Sequence, residues 1–424
     1  MHEHTRARAG VALHSRSVSS PETAALWTRT FVLGFVANFA HSLSFHAYVH
    51  LPGHLQALGG DELTVGLMVA AMAAAAILAR PMVGRAMDHR GRRVVLVVGS
   101  VLNVLATAAY VTVDSIGPWL VLIRVLHGIC EAMLFSVLFT IAADVVPPSR
   151  RTEGMALFGI SGMIPLSLAG WLGDVLLRHA DYDALFVATS VAAAVGLVAG
   201  WWIADSRPPV DHTAAAPRSF FRSVSAPPLR PLWLLGFGFA LAVASYFAFL
   251  KTFVLDRGVG SVGSFFMAYS IAAIALRIFF GKLPDRLGYR PTLVPAVMAT
   301  VIAVVLLAEA QSNTMVIVAG ILGGIGHGYT FPILTALVVT RSPPRERGAA
   351  LATFTALFDL GLVAGGPLFG AVLEVSTYRA MFWIAAVLAF ASVVGFIAWD
   401  RPRSSASLSP SASPSGVARR DHPP

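Results

Sequence analysis

The sequence predicts an all-α integral membrane protein with twelve transmembrane helices arranged as two six-helix repeats. Three observations point there. Of the 424 residues 56% are hydrophobic and only 12% are charged, where a water-soluble domain carries roughly 25% charged residues. The mean hydropathy is +0.72. Twelve continuous apolar runs approach the roughly 20 residues that a helix needs to cross the hydrocarbon core. Two stretches of the chain also repeat one another at a nearly constant offset. The single cysteine, Cys130, excludes a disulfide scaffold.

The runs lie at 27–51, 62–84, 94–113, 118–143, 153–177 and 184–204 in the first half. In the second half they lie at 231–252, 261–281, 292–310, 314–340, 348–373 and 379–399. They are numbered spans 1 to 12 below. Lipid-exposed backbone must satisfy its own hydrogen bonds, so each run is a helix. A β-barrel would alternate apolar and polar residues, and these runs do not. Run 1 contains Asn38, His41 and His46 and lacks a small-residue cleavage site, so it is read as a span and not as a signal peptide.

The basic residues set the orientation. Of 31 Lys and Arg, 24 fall in the tails and loops of one face and 4 on the other. Arg80, Arg124 and Arg277 lie inside or at the ends of spans. Both termini are therefore expected on the cytoplasmic side. The net charge of +9 is absorbed by topology, so the expected partner is the lipid bilayer and not nucleic acid.

The repeat is explicit in two places. Ala79–Arg93 (ARPMVGRAMDHRGRR) and Leu276–Arg290 (LRIFFGKLPDRLGYR) align at an offset of 197. That register matches Arg80 with Arg277, Asp88 with Asp285 and Gly91 with Gly288, and it also pairs Gly66 with Gly263. Pro147–Gly154 and Pro343–Ala350 align at 196, each after the fourth span of its half. The expected organisation is a tail (1–26), a six-helix half (27–204), a polar linker rich in Pro, Ala, Ser and Arg (205–230), a second half (231–400) and a low-complexity tail (401–424).

The loop GRAMDHRGRR resembles the signature between spans 2 and 3 of the major facilitator superfamily, and GKLPDRLGYR resembles its degenerate second-half copy. Arg124–Glu131 (RVLHGICE) resembles the span-4 pattern of proton-coupled members, with His127 and Glu131 replacing a glutamine and a small residue. The glycine-proline motif of drug antiporters is partial in GISGMIPLSLAG and closer in GLVAGGPLFG of span 11. The resemblance covers about residues 25–400. It implies parallel repeats around a midplane site and alternating access by rocking. It also implies gating loops built on Gly84, Asp88, Gly91, Arg92 and Arg93 and on Gly281, Asp285, Gly288 and Arg290. In that picture Asp88 with Arg92 locks the halves at one end, and Asp144 is the family-like partner.

The charges left in the apolar spans are the site candidates. A mid-span carboxylate is costly and usually faces a cavity, which makes Glu131 the candidate for proton coupling. Arg124 and His127 precede it by seven and four residues and share its helical face. A permanent Arg124–Glu131 pair that merely holds span 4 is the alternative. At offset 196 Glu131 corresponds to His327, which places a carboxylate and an imidazole at related positions. Asp359 in span 11 either contacts substrate, pairs with a base, takes a second proton or caps a break near the glycines. His41 and His46 are candidates to line the path. His46, His50 and His54 recur every fourth residue, a spacing open to a divalent metal, but Leu51–Pro52–Gly53 is expected to break the helix there, leaving a polar mouth. Lys251, Arg80 and Arg277 are expected to snorkel to the interfaces.

No nucleotide-binding P-loop, zinc-protease or nucleophile-elbow pattern is present, so enzyme chemistry and ATP drive have no support. The expectation is a monomeric secondary transporter of the bacterial inner membrane, without cofactor, that exports a small organic compound in exchange for protons, driven by the proton-motive force. Uptake of a small polar solute, or a transporter-like sensor or scaffold, are the alternatives.

Overall fold

The computed structural model describes residues 25–147, 150–205, 225–343 and 346–400. The terminal tails and most of the expected linker lie outside them. Within them the chain is twelve membrane-crossing helices with no strand.

Span 1 is Arg29–His46. It does not break at Pro52: one 3₁₀ turn, Ala47–His50, leads directly into Leu51–Ala57, where proline at the first turn lacks only an N–H that has no partner anyway. Spans 2 to 6 are Glu62–Arg90, Arg92–Ala109, Pro118–Val145, Arg151–His179 and Tyr182–Trp201. Spans 7 to 12 are Arg230–Arg257, Val262–Phe280, Tyr289–Ala308, Asn313–Arg341, Arg347–Val375 and Tyr378–Trp399. Eleven of these are apolar and long enough to cross a membrane unaided. The main helix of span 1 carries Asn38, His41, Ser42, Ser44 and His46.

Five of the six helices that begin at the end remote from the basic loops carry side-chain caps; span 4, which starts after Gly117, has none. Asp61, Asp181, Ser261, Ser312 and Thr377 each accept a backbone N–H from three residues on, for spans 2, 6, 8, 10 and 12. At the other end, spans 2 and 3 are separated by Gly91 alone, at φ 93°. Gly288 makes the same turn before span 9, at φ 89°, after a short helix Leu283–Leu287. A side chain with a Cβ is strained there, which is why both copies of the loop carry glycine.

The packing graph has twofold pseudo-symmetry. Span 1 packs on 5 and 6, span 2 on 4, and span 3 on 4 and 6. Span 7 packs on 11 and 12, span 8 on 10, and span 9 on 10 and 12. Two further contacts join the halves, span 2 on 11 and span 5 on 8, and the symmetry exchanges them. Both are tight at the end remote from the basic loops. A Cβ on Gly66 would collide with the Gly366 backbone, and a Cβ on Gly170 would lie 3.2 Å from Gly263 Cα. Close helix approach without lipid between is what small residues allow. Glu62 adds a polar latch on this seal, accepting from Thr252 Oγ1 of span 7 at 3.2 Å and from the Tyr378 hydroxyl of span 12. Valines at i+4 and i+3 spacing on span 6, Val187, Val191, Val195 and Val198, face outward as the lipid surface.

Two snorkelling expectations fail here. Lys251 is 9% exposed, held at the sealed end beside Gly53. Arg80 lies ten residues before the end of its helix, about 15 Å at 1.5 Å per residue, because span 2 continues to Arg90 rather than ending near 84. It points into the protein.

Candidate functional site

A cavity lies between the halves in two lobes of about 240 and 540 Å³, which share Glu131, Phe247 and His327 in their walls. The larger lobe runs past Leu138, Met155 and Thr335 toward the basic-loop ends of spans 4, 5 and 10. The halves are thus closed at one end by the glycine contacts and open toward the other.

The smaller lobe gathers Arg80, Arg124, Glu131, His327 and Asp359. Arg80 on span 2 forms an ion pair with Asp359 on span 11, across the boundary between the halves. Of the roles open to Asp359, pairing with a base is the one the geometry realises. Arg124 is 3% exposed and donates from Nε to the Met68 carbonyl at 3.0 Å and from Nη1 to the Tyr110 hydroxyl at 3.2 Å. It forms no ion pair with Glu131, so the permanent Arg124–Glu131 pair is absent. Seven residues of helix separate them by about 10 Å along the axis, and Arg124 reaches toward spans 2 and 3 instead.

His327 is hydrogen-bonded through Nδ1 to the Tyr269 hydroxyl at 2.6 Å, stacks on Phe331 and meets the Phe239 ring edge-to-face. Glu131 and His327 therefore do face one cavity from related positions on spans 4 and 10. His46 also lines the larger lobe. His41 touches that lobe but is 2% exposed and held by Ser100 at 3.0 Å and Asn103 at 3.3 Å on span 3. His127 is placed elsewhere. It is fully buried among Phe45, Tyr48 and Tyr110, and its Nδ1 meets the Tyr110 hydroxyl at 3.3 Å. It packs the first half and does not line the cavity. His50 is turned onto the Gly170 carbonyl at 3.0 Å, and His54 packs between Tyr182 and Phe186. The every-fourth-residue histidines thus diverge, because the 3₁₀ turn changes the helical phase between them.

The gating residues sit at the open end. Arg92 pairs with Asp144 at 2.6 Å, within the first half. Asp88 is exposed on the last turns of span 2, and Asp285 is exposed in the short helix before Gly288. Gly84 lies within the span 2 helix and Gly281 follows span 8 directly. Arg93 donates to the Trp201 carbonyl at 3.2 Å and Arg290 to the Ile397 carbonyl at 3.0 Å, the same clasp in each half.

Sequence reasoning missed Arg80 and Arg277 as cavity residues. It also missed the aromatic walls Phe247 and Phe331, and Asp205, which accepts from the Arg92 backbone N–H at 3.0 Å. The intramembrane position of the two arginines was the available signal, and a helix end set too early concealed it for Arg80.

The family model of the Major Facilitator Superfamily matches residues 30–308 and 258–422. The chain belongs to the Major Facilitator Superfamily. As a member of that superfamily it is a multi-pass membrane transporter. It is 26% identical to the staphylopine export protein of Staphylococcus aureus, over 87% of this chain and 95% of that one. It is also 26% identical to the uncharacterized MFS-type transporter YhhS of Escherichia coli, over 82% of this chain and 84% of that one. Its fold superposes on a mutant of the nucleoside transporter NupG with a TM-score of 0.75 at 14% identity, covering 88% and 100% of the two chains. A POT family transporter in complex with a thioalcohol-conjugated peptide gives 0.74 at 12% identity, covering 88% and 96%.

Proposed function

We propose that this facilitator-family chain is a secondary active transporter that works by alternating access and exports a small organic compound in exchange for protons. Its place would be the bacterial inner membrane, with the basic loops and both termini cytoplasmic, and it would act as a monomer. The observation that carries the proposal is Glu131. It lines both lobes of the cavity and has no ion pair within the salt-bridge distance among the described residues. A carboxylate inside a membrane protein is costly when charged and unpaired, so its proton is the one most readily exchanged as the cavity changes partners. Arg124, fixed by Met68 and Tyr110, supplies a constant positive field in the same lobe. His327 supplies a second group able to hold a proton. The relationship to an export protein over nearly the whole chain supports the outward direction.

In this cycle the Gly66–Gly366 and Gly170–Gly263 seals part while the ends carrying Asp88, Arg92 and Asp144 close. Proteoliposomes with an imposed pH gradient and an internal proton reporter, screened with a compound panel, test the proposal. Substrate-dependent proton movement in the wild type, abolished in Glu131→Gln, is the expected result. Transport that proceeds equally in both proteins, with no proton movement, overturns the coupling.

A further inference from the structure

The two cavity arginines are equivalent in the repeat, but their surroundings are not. Arg80 and Arg277 correspond at offset 197 and both project into the space between halves. Across the interface from Arg80 stands Asp359 on span 11. Spans 5 and 11 correspond at offset 196, Arg151–His179 with Arg347–Val375. The residue equivalent to Asp359 is therefore Met163. The structure brings Arg277 to it: Arg277 Nη1 lies 3.1 Å from Met163 Sδ, and its Nε is 3.4 Å from the Gly328 carbonyl. The repeat has kept the arginine and the geometry and replaced the counter-ion with a thioether.

Among the described residues no carboxylate pairs with Arg277. A methionine sulfur is only a weak acceptor, and a guanidinium within a membrane protein otherwise has a partner or opens to a water-filled path. Arg277 faces the larger lobe, whose walls include Phe45, Phe135, Phe247 and Phe331. A guanidinium offers a fork that matches a carboxylate.

We propose that Arg277 is the anion subsite of the cavity, and that the transported compound is a small organic carboxylate whose carboxylate takes the place Met163 leaves empty of charge. Its apolar part lies against the phenylalanine walls. This inference rests on the cavity being a transport site. The proton-coupled reading and the subsite can fail separately, because the test below needs binding alone.

The test uses the purified full chain and matched probes of equal shape, N-benzoylglycine and its amide, and phenylalanine and its amide. Thermal unfolding is followed with each. The carboxylates should raise the unfolding temperature of the wild type more than the amides do. Arg277→Gln should erase the difference. The decisive variant is Met163→Asp, which restores the internal pair that the other half possesses; it should fold normally and lose the carboxylate response, while Met163→Leu retains it. Modification by phenylglyoxal supplies a readout that does not depend on unfolding. Arg277 should react faster than Arg80, N-benzoylglycine should protect it, and Met163→Asp should slow the reaction. Equal responses to acid and amide in the wild type, the lack of any response included, overturn the proposal. So does a Met163→Asp protein that responds to carboxylates as the wild type does.

Discussion

Arg80 on span 2 and Asp359 on span 11 form an ion pair that bridges the two repeats inside the cavity. The side chains are 31% and 17% exposed, so the pair is partly solvated. Removing one partner of a fully buried pair costs about 3–5 kcal/mol. For this pair, with solvent screening, the cost of Asp359→Asn or Arg80→Gln is about 1–3 kcal/mol. The double variant should be less destabilised than the sum of the singles by about 0.5–3 kcal/mol. Denaturant unfolding in mixed micelles measures all four corners of this cycle, and strict additivity would show that the two charges do not interact.

The seal remote from the basic loops rests on glycine backbones. A side chain at residue 66 meets the Gly366 carbonyl and the Pro367 nitrogen. Neither can move aside without shifting span 11. Overpacking costs about 1–3 kcal/mol, and here it is charged to the sealed state alone. Gly66→Val should therefore favour the opposite conformer by roughly 5- to 150-fold. The readout is a cysteine at position 252, which is buried in the sealed state, in a Cys130→Ala background. An impermeant maleimide should label Thr252→Cys faster once Gly66 carries a side chain. An unchanged rate would mean the seal is not set by this contact.

Asp61 gives a pH signature outside the membrane-spanning segments. Its carboxylate accepts the Thr64 N–H at 2.7 Å and caps span 2. Hydrogen bonds from Thr64 hold its pKa below the ordinary aspartate value. The group therefore stabilises the fold above the unfolded-state pKa and loses that contribution as pH falls through the folded-state value. Asp61→Ala should cost about 1 kcal/mol near neutral pH. Its deficit against the wild type should shrink progressively below about pH 4. A deficit that is independent of pH would assign the loss to helix propensity and not to the charged cap.

Most of the architecture was legible in the sequence, because a bilayer leaves few options for apolar runs of this length. The repeat offset located the paired glycine turns at 91 and 288 and placed Glu131 and His327 on one cavity. The losses have physical causes. A helix end cannot be read from apolarity when Arg85, Arg90 and their neighbours still favour helix, so apolarity alone ends span 2 early and sends Arg80 to the interface. His127 has the same face as Glu131 by spacing alone, yet one turn of difference in depth puts it among aromatic rings. The Arg277–Met163 contact needed both offsets, 197 for one residue and 196 for the other. Neither motif carries that information by itself.

Arg92 is held twice, and the two holds can be separated. Its side chain pairs with Asp144 at 2.6 Å, while its backbone N–H donates to Asp205 at 3.0 Å. The first joins spans 3 and 4; the second caps the start of span 3, where a carboxylate is also favoured by the helix dipole. Asp205→Ala should therefore lower stability by about 1 kcal/mol and leave the transport rate near that of the wild type when the protein is folded. Asp144→Asn removes a charge from the open end that must close during the cycle. It should slow transport in proteoliposomes several-fold with little change in substrate affinity, and Asp88→Asn should do the same. If either substitution abolishes binding of a transported compound, that aspartate belongs to the binding site and not to the gate.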